Sequence, residues 1–461
     1  MKWSKKDYIL YSLGLGLILI VVWLIMSIAI NRAAIDPETL ASFKFIKERS
    51  LFDFWRGETF PGHFVAYRPI MASLFKIEYL LVGFNSPIFF LTDIILICVL
   101  AYLIYDVIYR KTRNLFPSII ATLFFVTDWR HFKNIYIITE AQATLAGIFG
   151  LLALWIVWFS KIKRRNILIF FLLLASVLSK EFGLAFSLAV FIFALYERPK
   201  ERKSLIAVSI SVVVIFIGIR LSLGELPSTS SDFSFLTALL NMASGFFFSF
   251  IPLFITKSDG DLPSLGDIHF PPAEAKMIIL FQILPIVILF LMGFKDKENR
   301  RITIPVFFII VGNSVLFFFR YAYRFHFIGN IGIYLIAGFG INHIYNKMRE
   351  QSQMLDILIA IIISLILILQ WRGEYFHNYL AHLVSLSDQA LCTREMGLSE
   401  REVGLCMKKR ELCIPTEEYY LQENFGGYYS STDPDTVVMI MEYYNMPLEA
   451  CSCLDPDPTC K

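Results

Sequence analysis

Apolar runs fill most of the first 371 residues, separated by short polar stretches. A bilayer core takes about 20 apolar residues per helix. Runs at 9–30, 87–109, 115–127, 137–159, 166–179, 182–196, 204–223, 277–294, 303–319, 327–346 and 354–371 therefore predict eleven membrane spans. Those at 115–127, 166–179 and 182–196 are short for a full crossing. Short spans are tolerated where their ends line a polar cavity within the membrane. Residues 234–256 are long enough to span. Counting them would reverse the sidedness of every later loop, so they read as an interfacial or re-entrant element.

Basic residues orient this pattern. Lys2, Lys5 and Lys6 precede the first span, and Arg110/Lys111/Arg113, Lys161/Lys163/Arg164/Arg165, Arg198/Lys200/Arg202/Lys203, Lys295/Lys297/Arg300/Arg301 and Lys347/Arg349 occupy alternate loops. All six clusters then share one side, which the positive-inside rule makes cytoplasmic. The N-terminus lies inside and the C-terminal tail outside. The first span is too long for a signal peptide and lacks a small-residue cleavage site, so it reads as an uncleaved anchor. The other face carries loop 31–86, with an interfacial helix predicted at 70–83, loop 224–276, and the tail. The predicted fold class is an all-α polytopic membrane protein of about eleven transmembrane helices. Its membrane domain is 1–371, and 372–461 is a small extracytoplasmic domain.

Composition sharpens this reading. Of 461 residues 56% are hydrophobic and only 18% charged, and the 44 Phe outnumber all Lys and Arg together. Such a surplus cannot be hidden in a water-soluble globule, and it excludes intrinsic disorder, which needs low hydrophobicity and high charge. A net charge of +3 suggests no nucleic-acid partner.

Six of the seven cysteines fall in the tail: Cys392, Cys406, Cys413, Cys451, Cys453 and Cys460. An even number in a short extracytoplasmic domain reads as disulfides, with 15 possible pairings. The alternative is a metal site. One residue separates Cys451 from Cys453 and no His is nearby, which departs from zinc-ligand spacing. Cys98 sits within a span and reads as a buried, inert thiol.

Charges in or beside the membrane core cost a few kcal/mol and need a reason. Asp36 follows the first span, and Asp53 and Arg68 lie in the first outer loop beside Tyr67. Their ordinary reading is a solvated loop with an aromatic belt. A carboxylate against an apolar wall is alternatively a general base. Lys180 and Glu181 occupy a tight turn between two short spans. They are either an ion pair stabilising the hairpin or a cation and a carboxylate facing a cavity. Asp128, Arg130, His131 and Lys133 form the next outer turn, with Glu140 about one turn into the following span. His131 by itself reads as a surface histidine. Arg320 and Arg324 bracket an aromatic stretch, as snorkelling anchors or as a phosphate site. No Walker A sequence, Rossmann glycine pattern, H-E-x-x-H or G-x-S-x-G is present.

Asp53-Phe54-Trp55-Arg56-Gly57 followed by Tyr67-Arg68-Pro69 resembles the D-F-W-G and Y-R-P elements of the TPR-bearing transmembrane O-mannosyltransferases. Ser179-Lys180-Glu181 matches the S-K-E of that family. Tyr323-Arg324-Phe325-His326-Phe327 is similar to its E-R-Y-x-Y, with Tyr323 in place of the Glu. Gly83-Phe84-Asn85 and Phe124-Phe125 fit the same order. The likeness covers about residues 1–350 and extends to the dolichyl-phosphate-mannose protein mannosyltransferases. The broader group is the GT-C superfamily of polytopic glycosyltransferases. The chain departs from it at Asp36-Pro37-Glu38, where relatives carry paired acids, and in the cysteine-rich tail that stands where relatives have TPR repeats.

The resemblance implies transfer of a sugar from a polyprenyl-phosphate donor to an acceptor hydroxyl on a glycan, protein or lipid. It implies Asp36 as the base, with Asp53 second. Arg324, Lys180 and Arg68 would hold the donor phosphate, supported by Glu181, Asp128, Glu140, Tyr67 and His131. The sequence demands no cofactor, and clustered acids leave room for a divalent metal. A secondary transporter and a non-catalytic scaffold with an extracytoplasmic binding tail are the competing readings. The first would favour internal repeats and midplane charges. No repeat is visible, and the charges collect at the outer ends of spans.

Overall fold

A computed structural model describes residues 5–30, 45–57, 67–83, 86–128, 141–196, 199–223, 235–250, 284–295, 300–316 and 326–349. The described residues form helices and turns, with no strand among them. In chain order the helices are α1 (Lys5–Ile30), α2 (Leu51–Arg56), α3 (Pro69–Val82), α4 (Ser86–Thr112), α5 (Leu115–Val126), α6 (Ala141–Phe159) and α7 (Arg165–Ser179). A 3-10 turn (Glu181–Gly183) leads into α8 (Leu184–Ala194). Then come α9 (Pro199–Ser222), α10 (Phe235–Phe248), α11 (Leu284–Gly293), α12 (Arg300–Leu316) and α13 (His326–Arg349).

The first ten expected spans each fall on one of these helices. The eleventh, 354–371, and the tail with its six cysteines lie outside the described residues. Five helical segments are long and apolar enough to cross a membrane: Asp7–Leu24, Ile88–Thr112, Ala141–Phe159, Glu201–Ser222 and His326–Lys347. Leu115–Val126, Arg165–Ser179 and Glu181–Ala194 are apolar but shorter. The surfaces agree with a lipid surround. Helix α9 turns Ile210, Val214, Ile217 and Leu221 outward while burying Ser209. Helix α1 exposes Leu13, Leu17, Ile20 and Leu24. Water would penalise such faces, whereas hydrocarbon is their natural solvent. The architecture is that of an all-α, membrane-embedded protein.

The chain divides into two compact units. The smaller contains residues 27–92, with α2 and α3. The larger contains α1 as far as Met26, α4 from Asp93 onward, and α5 through α13.

Helix α13 is the core of the larger unit. Its membrane-length window is 89% buried, and it packs against α5, α6, α11 and α12. Contacts fix how the helices run. Phe116 at the start of α5 stacks on Tyr345 near the end of α13, at 5.4 Å between centroids. Phe125 at the end of α5 meets Phe327 at the start of α13, at 5.8 Å. The two helices are therefore antiparallel. Helix α12 also runs against α13, since Gly332 faces Ile310 and Val306 while Gly329 faces Asn313.

Most of the described basic residues collect at one end of this bundle. Arg110 and Lys111 lie over the Phe159 ring at 5.9 and 5.0 Å. Arg165 pairs with Glu201 at 2.9 Å, and Asn166 donates to Ser204 Oγ at 2.6 Å. Arg300 and Arg349 lie at the matching ends of α12 and α13. At this basic end Asp106 is 1% exposed. It accepts from Tyr11 Oη at 2.8 Å, Trp155 Nε1 at 2.6 Å and Arg110 Nε at 2.6 Å. Tyr105 Oη donates to the Tyr11 carbonyl at 3.0 Å. One carboxylate thus ties α1, α4 and α6 together.

Segment 234–256 begins as α10, a helix of 14 residues, and residues beyond 250 lie outside the described set. Helix α10 packs on α12, with Phe246 edge-on to Phe307 at 6.1 Å.

Candidate functional site

In the larger unit, the end opposite the basic clusters gathers polar groups from several helices. Lys180 follows α7 in extended conformation, with φ −158 and ψ 138. Its N–H donates to the Ser176 carbonyl at 3.2 Å, and its own carbonyl accepts from Gly183 N–H at 2.8 Å. Ser176 Oγ reaches across to the Ala146 carbonyl of α6 at 2.7 Å. The turn is therefore anchored to a neighbouring helix. Gly183 is required because a Cβ there would stand 2.5 Å from the Ser176 carbonyl carbon and oxygen. The Lys180 side chain is only 1% exposed. A lysine is almost never buried so completely without partners, and Lys180 does make interactions here. Glu181, beside it, is half-buried and also engaged.

Asp128 follows the C-terminal cap of α5. Thr127 closes that helix by donating both its N–H, at 2.9 Å, and its hydroxyl, at 2.8 Å, to the Leu123 carbonyl. Asp128 is 3% exposed and accepts from Tyr334 Oη at 2.7 Å. Tyr334 lies eight residues into α13, so at ~1.5 Å rise per residue this contact is roughly 12 Å along the helix from its start. The carboxylate is thus buried at the end of α5, against the first turns of α13. His326, Asn330 and Tyr334 recur at every fourth position of α13 and are all buried. Beside them, His326 Nδ1 is 3.0 Å from Ser249 Oγ.

The smaller unit holds the other described candidates. Asp53 is the third residue of α2 and completes a capping box with Ser50. Its Oδ2 accepts from Ser50 N at 2.8 Å and Ser50 Oγ at 2.7 Å. These hydrogen bonds hold its carboxyl below the ordinary value of 3.8, with Arg56 and Arg49 adding smaller favourable charge effects. Asp53 is therefore ionised and a weak base. Tyr67 is buried and donates to the Trp55 carbonyl at 3.2 Å, and Trp55 Nε1 donates to Ser73 Oγ at 3.0 Å. These bonds clamp the aspartate-bearing turn onto α3, the helix expected near 70–83. Arg68 caps that helix through its carbonyl, which accepts from Ala72 N–H at 3.1 Å. Lys76 Nζ donates to the Ile46 carbonyl at 2.8 Å and the Lys47 carbonyl at 3.3 Å. Among the described residues neither carboxyl oxygen of buried Glu78 has a hydrogen-bond partner of good geometry, and desolvation, opposed by nearby Thr92, lifts its pKa to about 7.

The structure thus brings Lys180, Glu181 and Asp128 to one end of the larger unit, and Asp53, Tyr67 and Arg68 into the smaller one. Asp36, His131, Glu140 and Arg324 lie outside the described residues. Among the described residues no three His, Cys, Asp or Glu side chains gather as metal ligands. Sequence reasoning missed Tyr334, Asn313 and Ser249, and it took His326 only as part of an aromatic stretch. The signal for the α13 face was present: polar residues spaced four apart inside an apolar run share one side of a helix. No protein-family model matches the chain, and no curated protein is significantly similar to it.

Proposed function

We propose that this chain is a GT-C-type membrane glycosyltransferase, which moves a sugar from a polyprenyl-phosphate donor to an acceptor hydroxyl on the extracytoplasmic face. The observation that carries the reading is Lys180: a wholly buried cation at the tip of a short-helix hairpin, at the bundle end away from the basic clusters. The sequence resemblance at residues 53–57, 67–69, 179–181 and 323–327 supports the same assignment. In this reading eleven spans place the N-terminus in the cytoplasm and the tail outside, with the six tail cysteines forming disulfides.

The base takes the proton from the acceptor hydroxyl as its oxygen bonds to the anomeric carbon. The bond from that carbon to the phosphate oxygen breaks, and polyprenyl phosphate leaves with the electron pair. Direct attack inverts the anomeric centre. Asp36 is the first choice of base, because Asp53 is held ionised by its capping hydrogen bonds and accepts a proton poorly. Lys180, Arg324 and Arg68 stabilise charge developing on the phosphate. The lipid chain lies against the apolar helix faces. A divalent metal is an optional addition to this scheme.

The test is a transfer assay on purified protein, with radiolabelled polyprenyl-phosphate sugars and a crude membrane acceptor extract. Asp36→Asn and Lys180→Met should each lower transfer about 100-fold or more, Arg324→Ala should follow them, and Asp53→Asn should cost less than about tenfold. Undiminished transfer in Asp36→Asn and Lys180→Met would refute the site. Absence of transfer by folded wild type from any donor would refute the activity.

A further inference from the structure

We propose that α2 and α3 share one apolar surface that seats in the lipid bilayer, at the membrane face where α4 begins. Such a surface requires only a membrane-embedded chain, whatever reaction that chain performs. Helix α3 is arranged inside out. Its two charged residues, Lys76 and Glu78, are turned inward, at 8% and 7% exposed. Its apolar residues Ile77, Leu80 and Leu81 are turned outward, Leu81 at 76% exposed. A helix on a water-facing surface shows the reverse distribution. Lys76 fixes this rotation of the helix, because its ammonium donates to the Ile46 and Lys47 carbonyls at 2.8 and 3.3 Å.

Helix α2 extends the same surface. Leu51, Phe52 and Trp55 are exposed, and their spacing puts them on one side of that short helix. Trp55 Nε1 donates to Ser73 Oγ at 3.0 Å. Ser73 precedes Ile77 by about one turn of α3, and Leu80 and Leu81 by about two. The exposed indole therefore sits at the head of the outward stripe of α3, and the two apolar faces are continuous. Arg56 lays its guanidinium over the Phe52 ring at 4.2 Å, which leaves a cation at the edge of the patch. Apolar side chains bordered by an indole and a basic residue are the composition of a membrane-interface element.

Packing onto the start of α4 identifies the occupant as lipid. Phe75, on the buried side of α3, meets Phe89 edge-on at 5.7 Å between centroids. Phe89 is the second residue of Ile88–Thr112, a segment long and apolar enough to cross a membrane. Val82 ends α3 and Ser86 begins α4, so at most ~14 Å of chain separates them. The outward stripe is thus held beside the point where α4 enters the hydrocarbon. A contiguous apolar patch is costly in water, and at that point a bilayer is within its reach.

The test places full-length protein, labelled with fluorotryptophan, in phospholipid nanodiscs and records fluorine NMR spectra. The Trp55 signal is the one lost in Trp55→Phe, and Leu81→Trp adds a second reporter on the outward face of α3. Each sample is measured with a phospholipid carrying a nitroxide near its headgroup, and separately with a water-soluble gadolinium chelate. Both signals should lose more intensity to the lipid nitroxide than to the chelate. Greater loss to the chelate at either position would put that face in water and overturn the proposal. Little loss to either agent would show a cover of protein, from the C-terminal tail or a second copy of the chain, and would overturn it as well. Should Trp55→Phe fail to fold, the Leu81→Trp signal decides by the same criterion, since that side chain is exposed and its replacement disturbs no buried contact.

Discussion

Two buried polar groups of the larger unit, one near each end, are treated in opposite ways. At the basic end Asp106 is enclosed by three donors, from α1, α4 and α6, at 2.6 to 2.8 Å. Toward the other end Asn313 is just as deeply buried, yet neither of its amide atoms has a partner among the described residues. A satisfied network in a low-dielectric interior stabilises and orients what it joins, whereas an unsatisfied group is a cost that the fold carries. The difference teaches that burial by itself does not decide what a polar group does: Asp106 joins three helices, and Asn313 makes no such joint among the described residues.

The sharpest way to break this comparison is at Asp106. Alanine there strands the Arg110 guanidinium, the Trp155 N–H and the Tyr11 hydroxyl. The expected loss is about 3 kcal/mol or more, read as a lowered melting temperature in detergent, with transfer per folded molecule unchanged. A melt unaltered by Asp106→Ala would show that the three-donor contact joins nothing of consequence. Asn313→Leu is the mirror experiment: it should leave the melting temperature level or raise it. Equal destabilisation at both positions would erase the distinction.

Glu78 brings the comparison into the smaller unit. It is buried, and Thr92, which pulls its pKa back down by less than burial raises it, donates its hydroxyl to the Ile88 carbonyl at 3.2 Å. In the unfolded chain it ionises from its ordinary value of 4.5 upward, while the folded chain holds the proton to about 7. Stability should therefore fall as pH rises through that interval, on the order of 3 kcal/mol in all, and then level off. Glu78→Gln should flatten the decline. A wild-type profile already flat between pH 4.5 and 7 would contradict the burial.

Asp53 should give the smallest effect. Its carboxyl is depressed, so its contribution is complete above 3.8 and drains away as pH falls toward the lowered value. Asp53→Ala should speed hydrogen exchange across residues 51–57 and leave the melting temperature almost unmoved. Loss of transfer in that variant, with exchange unchanged, would instead make Asp53 the base.

Much of the helical plan was legible before any coordinates. Each of the first ten expected spans has a helix within it among the described residues, and five of those helices are long and apolar enough to cross a membrane; a long unbroken apolar run has one stable form in lipid. The sharing of one end by the basic loops followed from their alternation along the chain. The Ser179-Lys180-Glu181 turn was legible as a tight polar tip between short helices. Its depth was not, since a lysine in such a turn can snorkel as readily as it can be enclosed. Asp53 read as the second candidate for the base, and its capping role became visible only with Ser50 folded back onto it.

By itself, then, the sequence determined the solvent and the plan: a described part that is helical, with apolar faces suited to lipid and most of its basic residues at one end of the bundle. These properties depend on local composition and period, which need no knowledge of neighbours. Which polar residues are satisfied was decided only in three dimensions. Asp106 meets Trp155 from 49 positions away and Asp128 meets Tyr334 from 206, while the Asn313 amide meets no partner among the described residues. A hydrogen bond depends on distances of a few tenths of an ångström between groups far apart in the chain, and only the packing of the helices sets those distances.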